Sequence, residues 1–199
     1  MIDLYTWTTP NGRKVPIMLE EVGLPYTVHP VNLGKNQQFD PEYLKISPNN
    51  KIPAIVDHDG PDGPLSVFES GAILIYLAEK TGKLLAAHGA ERYRALEWLN
   101  WQMGGIGPMF GQLGFFAIRS EEKSPLAIKR FTEENRRLLG VIDKRLQETA
   151  YLAGDTYTIA DVAAYPWMLA AQGNRISKQG QEAGEVGFVP AGSFELAAD

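Results

Sequence analysis

Apolar positions in the first eighty residues come in short blocks of two kinds. Ile2 to Tyr5, Thr27 to Val31, Ala54 to Val56 and Leu65 to Phe68 have the β-branched and aromatic content of strands. Between them the spacing lengthens to that of a helix. Val15, Met18, Leu19 and Val22 share one face of a helix over about Arg13 to Val22, with Gly23 as its stop. Pro16 sits awkwardly there, because beyond the first turn a proline deletes a hydrogen bond, and this favours a start just after Arg13. A short helical piece covers Pro41 to Lys45. A third helix starts near Ser70, shows Ile73, Leu74 and Leu77, and halts at Gly82. The predicted order is β-α-β-α-β-β-α.

After residue 82 the pattern turns helical. Arg92 to about Phe116 carries Leu96, Leu99, Met103 and Ile106, but five glycines and Pro108 interrupt its second half, which predicts a bent or broken helix. Pro125 to Glu148 is cleaner, with Ile128, Phe131, Leu138, Ile142 and Leu146 at helical spacings. Thr158 followed by Asp161 is close to a capping box, and Tyr157 can pack on Val162 as a staple. The helix they open should run to about Ala171. The chain thus divides into an α/β domain over residues 1–81, an all-helical domain over 90–172, and a tail over 173–199. The tail has no sustained period and reads as atypical loop or disorder.

Composition narrows the chemistry. The 199 residues include no cysteine, which excludes disulfides, thiolate metal sites and attack by a protein thiol. His29, His58 and His88 are scattered without ligand spacing, so no metal is expected. The net charge of -5, with no basic stripe, argues against nucleic acid as a partner. No apolar run reaches the length of a membrane span, and Met1-Ile2-Asp3 opens without the basic and apolar regions of a secretory signal. The expectation is a cytoplasmic protein with no membrane partner.

Three loops carry candidate chemistry, each where a strand end meets a helix start, which is where open α/β sheets bind ligands. In Trp7-Thr8-Thr9-Pro10-Asn11-Gly12, the Thr9 hydroxyl and the Asn11 amide can each donate beside a helix N-terminus, which suits an anion such as a thiolate. Asn11 also reads as a simple helix cap. In Ser47-Pro48-Asn49-Asn50-Lys51-Ile52-Pro53-Ala54-Ile55, a cis Ile52-Pro53 bond would free the Ile52 backbone for a peptide-like ligand, although a trans turn is the default from spacing. In Phe68-Glu69-Ser70-Gly71-Ala72, Ser70 reads as an N-cap, the N–H groups above it as a carboxylate seat, and Glu69 as a partner for an ammonium group. A cap with a first-turn acid is the plainer reading of the same residues.

Together these loops resemble the glutathione transferases, and more narrowly the bacterial nu class and its relative, the yeast nitrogen regulator that forms a prion. The likeness runs from Met1 to about Ala171 and departs at the end, where family members place another amphipathic helix. The resemblance implies a thioredoxin-like first domain, an all-helical second domain and a homodimer. It implies glutathione, reduced or as its disulfide, as co-substrate, with a small disulfide or an electrophile as the second substrate. Thr9 and Asn11 would face the sulfur as the catalytic pair. Ile52-Pro53 would be the cis-proline loop, with Ile52 pairing with the cysteinyl backbone. Glu69 and Ser70 would hold the γ-glutamyl end, Gln38 would reach the glycyl end, and Arg130 would add a cation. Trp7, Met109, Phe110, Phe115 and Phe116 are apolar candidates for the second-substrate side. The activity implied is glutathione-dependent disulfide reduction with possible transferase activity. The alternative is a non-catalytic protein that binds glutathione or regulates.

Overall fold

Strand β1 (Ile2–Thr6) alternates, burying Ile2, Leu4 and Thr6 on one face while Asp3 and Tyr5 are half-buried on the other. In this computed structural model, which describes residues 1–173, β1 lies inside a four-stranded sheet. It pairs in parallel with β2 (Tyr26–Pro30) and antiparallel with β3 (Ala54–Asp57), which pairs antiparallel with β4 (Leu65–Phe68). Along the chain the elements follow the β-α-β-α-β-β-α order expected from the hydrophobic pattern, and the sheet order β2-β1-β3-β4 makes the first half thioredoxin-like.

Helix α1 (Pro10–Val22) starts at Pro10, before Arg13 and not after it. Thr9 is its N-cap, in extended backbone, with Oγ1 accepting from the Gly12 N–H at 3.0 Å. Pro10 then enters the first turn, where its missing N–H costs nothing. Pro16 is tolerated deeper in the helix for a specific reason. The carbonyl it cannot reach, Gly12 O, accepts a buried hydrogen bond from Thr6 Oγ1 at 2.8 Å instead. Gly12 itself cannot carry a side chain, since a Cβ there would collide with the Trp7 carbonyl. Gly23, at φ 76°, closes the helix as the sequence predicts.

The short α2 (Pro41–Ile46) covers the face of the sheet that α1 leaves open, where Val31, Tyr43 and Ala54 form a small cluster with Tyr5, Ile46 and Ile52. On the other face the sheet packs against α1 and α3 (Ser70–Thr81). That core does not stop at the sheet domain. It continues through Leu85, Ala95 and Leu99 to Ile159, Val162 and Ala163, the last three on α7 (Ile159–Gly173).

The glycine-rich segment is neither broken nor a plain α-helix. Helix α4 (Gly89–Trp101) passes through a π-helical turn (Gln102–Ile106) into α5 (Gly107–Gly114) and a second π turn (Phe115–Arg119). The wider turn lets the chain carry Pro108 in the first turn of α5 without ending the helical path. Helix α6 (Pro125–Glu148) packs Leu138 and Ile142 into a second core with Ile106, Phe110 and Met168. At the entry to α7, Asp161 accepts from the Thr158 N–H and from the Leu152 N–H, both at 2.9 Å, so the capping-box expectation holds with aspartate in the reciprocal position. Burial raises the Asp161 pKa against these bonds. Gly173, which the sequence reading placed in the tail, ends α7; the remainder of that reading, 174–199, lies outside the described residues. Among the described residues no helix is long and apolar enough to cross a membrane.

Candidate functional site

Two adjoining cavities open where β1, β3 and α3 meet the π turn after α4. The smaller, about 140 Å³, is lined by Asn11, Ser47, Ile52, Pro53, Glu69, Ser70 and Met103 among others. The larger, about 1090 Å³, shares Asn11, Lys51, Ile52, Glu69 and Met103 with it and extends past Thr9, Gln38, Phe110, Phe115, Arg119 and Trp167. Pockets for drug-sized ligands typically hold about 300–1,000 Å³, so this cleft has room for an extended ligand.

Each loop is held by bonds that the sequence does not announce. In the first, the Thr9 oxygen is occupied as an acceptor by the Gly12 N–H, which leaves its O–H available as a donor beside the larger cavity. Asn11, whose plainer reading was a cap, is not one, because Thr9 caps the helix. Its Oδ1 accepts from the Trp167 indole N–H at 2.9 Å.

The second loop is pinned at the Lys51 carbonyl, which accepts from the Ser47 hydroxyl at 2.8 Å and the Tyr43 hydroxyl at 2.6 Å. Burial pushes the Tyr43 pKa up to about 12, so this donor keeps its proton. The Ile52–Pro53 bond is cis, as the family resemblance implies and against the trans default from spacing alone, and Ile52 lies between this anchor and the first residue of β3.

In the third loop the N-cap is Glu69, not Ser70. Glu69 takes φ 69° and ψ 113°, an uncommon backbone for a side-chain-bearing residue, and no side chain caps the helix. Ser70 becomes the first helical residue, 4% exposed, with its Oγ turned inward to Lys14 Nζ at 3.4 Å. Ile73 is the first residue of α3 whose N–H reaches back, to Glu69 O at 3.0 Å, so the N–H groups before it have no partner within the helix. They favour a negative group at the cavity.

Beneath this seat lies a charged group that belongs to none of the three loop motifs. Lys14 is fully buried, with Nζ 2.7 Å from Gln102 Oε1 and 3.3 Å from Met103 Sδ. Burial lowers its pKa to about 7, and the Glu69 carboxylate opposes that shift. Its position was readable, since Lys14 stands four residues before Met18 on the inward side of α1. The contacts of Gln102 and Trp167 had no such local signal.

Thr9, Asn11, Gln38, Ile52, Glu69 and Ser70 all border the cavities, while Arg130 lines neither and is exposed on α6. The lining guanidinium is Arg119. Of the apolar candidates, Phe110 and Phe115 line the larger cavity. Trp7, Met109 and Phe116 do not; Phe116 stacks on Phe131 and Met109 packs on the second core. Away from the cleft, the scattered His29 and His58 meet at Asp3, at 3.0 and 2.8 Å. Hydrogen bonds from both, His58 foremost, hold the Asp3 pKa below the ordinary carboxylate value.

Comparison with known proteins gives a consistent set of likenesses. Residues 8–80 match the family model for the N-terminal domain of glutathione S-transferase, and residues 106–183 that for its C-terminal domain. The chain is 53% identical over 178 residues to the disulfide-bond oxidoreductase YfcG of Escherichia coli, covering 88% of this chain and 83% of that one. A crystal structure of a glutathione transferase family member from Pseudomonas fluorescens, with two glutathione bound, superposes with a TM-score of 0.85 at 52% identity, covering 92% of this chain and 81% of that one. A glutathione transferase from Pseudomonas putida, with one glutathione disulfide bound per subunit, gives a TM-score of 0.85 at 47% identity over 92% of this chain and 80% of that one.

Proposed function

The chain belongs to the glutathione S-transferase family, and from that premise we propose that it is a glutathione-dependent disulfide reductase, with transfer to an electrophilic carbon as a second use of the same thiolate. The carrying observation is that two residues with donors to offer, Thr9 through its hydroxyl and Asn11 through its amide, border a cleft in a chain without cysteine. Every thiol must therefore come from glutathione. The donors and the start of α1 lower the thiol pKa by favouring the anion. The glutathione thiolate attacks one sulfur of the substrate disulfide and expels the other as a thiolate, leaving a mixed disulfide. A second glutathione thiolate displaces the remaining half, so two glutathiones become one glutathione disulfide and the substrate gains two electrons and two protons.

In this reading the small cavity takes the γ-glutamyl carboxylate on Ser70 and the start of α3, and Glu69 takes its ammonium. The Ile52 backbone pairs with the cysteinyl unit, and Gln38 faces the glycyl end. Glutathione disulfide is expected to bind with a dissociation constant in about the high-micromolar to millimolar range, and Ser70→Ala to weaken it by about 1 kcal/mol. Calorimetry checks the binding, and turnover of a small model disulfide checks the chemistry. Heat without turnover would favour a non-catalytic glutathione-binding protein instead, and neither signal would end both readings.

We also place the protein in the cytoplasm as a homodimer. The absence of cysteine is compatible with that compartment. For the dimer, support comes from Tyr93 on α4, 69% exposed, and from Leu65 and Phe68 on the edge strand β4, an apolar edge of the kind that proteins cover. Trp98 and Trp101, also on the path of α4, are partly buried on the second core. Light scattering should give twice the chain mass at micromolar concentration, and the chain mass alone at all concentrations would overturn the dimer.

A further inference from the structure

Asn11 can act on a sulfur only if it turns the right end of its amide toward it. The two ends are nearly the same shape and opposite in chemistry: NH₂ donates to an anion, whereas the oxygen repels one. Nothing on α1 decides between them. Trp167 does. It stands on α7, 156 residues along the chain, and its indole N–H lies 2.9 Å from Asn11 Oδ1. An indole nitrogen donates and never accepts, so the oxygen must face the ring and the NH₂ must face away from it. The ring is itself held, packing on the second core and lying along Gly107 and Gly111, one turn apart on α5.

We propose that Trp167 is a positioning residue that fixes the amide of Asn11 with its NH₂ toward the reacting sulfur, so that the helical domain sets the polarity of a donor carried by the sheet domain. This rests on the reading of Asn11 as the thiolate's donor. Without the indole N–H, the Asn11 amide is free to present its oxygen to the cleft, where it disfavours the thiolate. The effect should fall on thiolate formation and not on the seat at Ser70, which belongs to α3.

The test is Trp167→Phe, which keeps an aromatic ring and deletes the N–H. The expected result is a roughly three- to tenfold lower rate of disulfide reduction at pH 7, a higher apparent thiol pKa in the pH–rate profile, and little change in glutathione disulfide binding. In an Asn11→Ala background the same substitution should cost nothing further. If Trp167→Phe keeps wild-type rate and pKa while Asn11→Ala is impaired, the positioning role is overturned and the donor role of Asn11 stands. If Asn11→Ala is itself unimpaired, the donor role falls and this inference falls with it. Should Trp167→Phe fold poorly, the indole N–H resonances of the wild type and of Asn11→Ala decide. One of the resonances from the four tryptophans should shift on losing its acceptor, and four unchanged signals would overturn the proposal.

Discussion

Asn11→Ala is expected to slow glutathione-dependent disulfide reduction at neutral pH by about tenfold to a hundredfold, with a smaller loss of glutathione affinity. A hydrogen bond to a charged partner contributes about 1.5–3 kcal/mol, and each 1.4 kcal/mol of it that favours thiolate over thiol is about tenfold in the anion's share. The neutral thiol needs the donor less, so the loss falls mainly on rate. Above the pKa of free glutathione, solution supplies the thiolate unaided, and the variant should partly recover there. Asn11→Ala is the cleaner substitution because Thr9, not Asn11, holds the helix N-terminus. Thr9→Val removes both the donor and the acceptor of the Gly12 N–H, at a further cost of about 1 kcal/mol in stability. Thr9→Ser keeps both functions and is the control. The measurement is the pH–rate profile of the four proteins, with binding followed alongside. An unchanged rate and thiol pKa in Asn11→Ala would place the sulfur's stabilisation on other groups.

The legible parts of this molecule were those fixed by local pattern. The spacing of Val15, Met18, Leu19 and Val22 is the inward stripe of α1, and the Thr158–Asp161 pair forms the reciprocal cap it resembles. Local pattern failed where a distant group satisfies a local defect. Pro16 argues against an early helix start until Thr6, on the neighbouring strand, is seen to satisfy the Gly12 carbonyl. Pro108 and its glycines argue for a break, and the chain answers with π turns that keep the path helical and turn Gln102 and Met103 toward Lys14. At the cleft, residue types at loop positions pointed to Thr9, Asn11, Ile52 and Ser70, all of which border the cavities. Their orientation was not legible. Ser70 reads as a cap until Glu69 takes the left-handed backbone one residue earlier and turns the hydroxyl inward. The acceptor role of the Asn11 oxygen depends on a tryptophan in the other domain, which no spacing rule reaches.

Lys14→Met is expected to make the protein about 1–4 kcal/mol more stable at pH 7, the range found when buried ion pairs give way to apolar residues of similar volume, while weakening glutathione binding about tenfold. The stability gain follows from burial. Lys14 is fully enclosed, its neighbours Gln102 and Met103 are neutral, and Asp161 on the packed α7 is turned to Thr158 and Leu152. Asp3, on β1, is engaged by His29 and His58. Among the described residues, Glu69, exposed at the start of α3, is the charge that opposes the loss of water. The folded pKa of about 7 against an ordinary 10.5 means that the unfolded chain keeps this proton across a window in which the folded protein has released it. Between those values the unfolded state binds more protons, so this group makes wild-type stability rise with pH, and its full cost is present below pH 7. The methionine variant lacks that slope. Its advantage, net of the Gln102 oxygen left without its donor, should therefore be largest at and below pH 7 and shrink as pH climbs toward 10.5. Binding should move the other way, because the γ-glutamyl carboxylate proposed to sit at Ser70 adds a negative charge near Lys14 to that of Glu69, and its arrival should draw a proton onto the lysine near pH 8. Urea midpoints for both proteins from pH 6 to 10 test the first half. Calorimetry in buffers of different ionisation enthalpy tests the second, with proton uptake expected in the wild type and absent from Lys14→Met. A variant less stable than wild type by the same amount at every pH would mean that the hydrogen bonds of Lys14 outweigh its charge, and equal affinity in both proteins would remove it from the glutathione site.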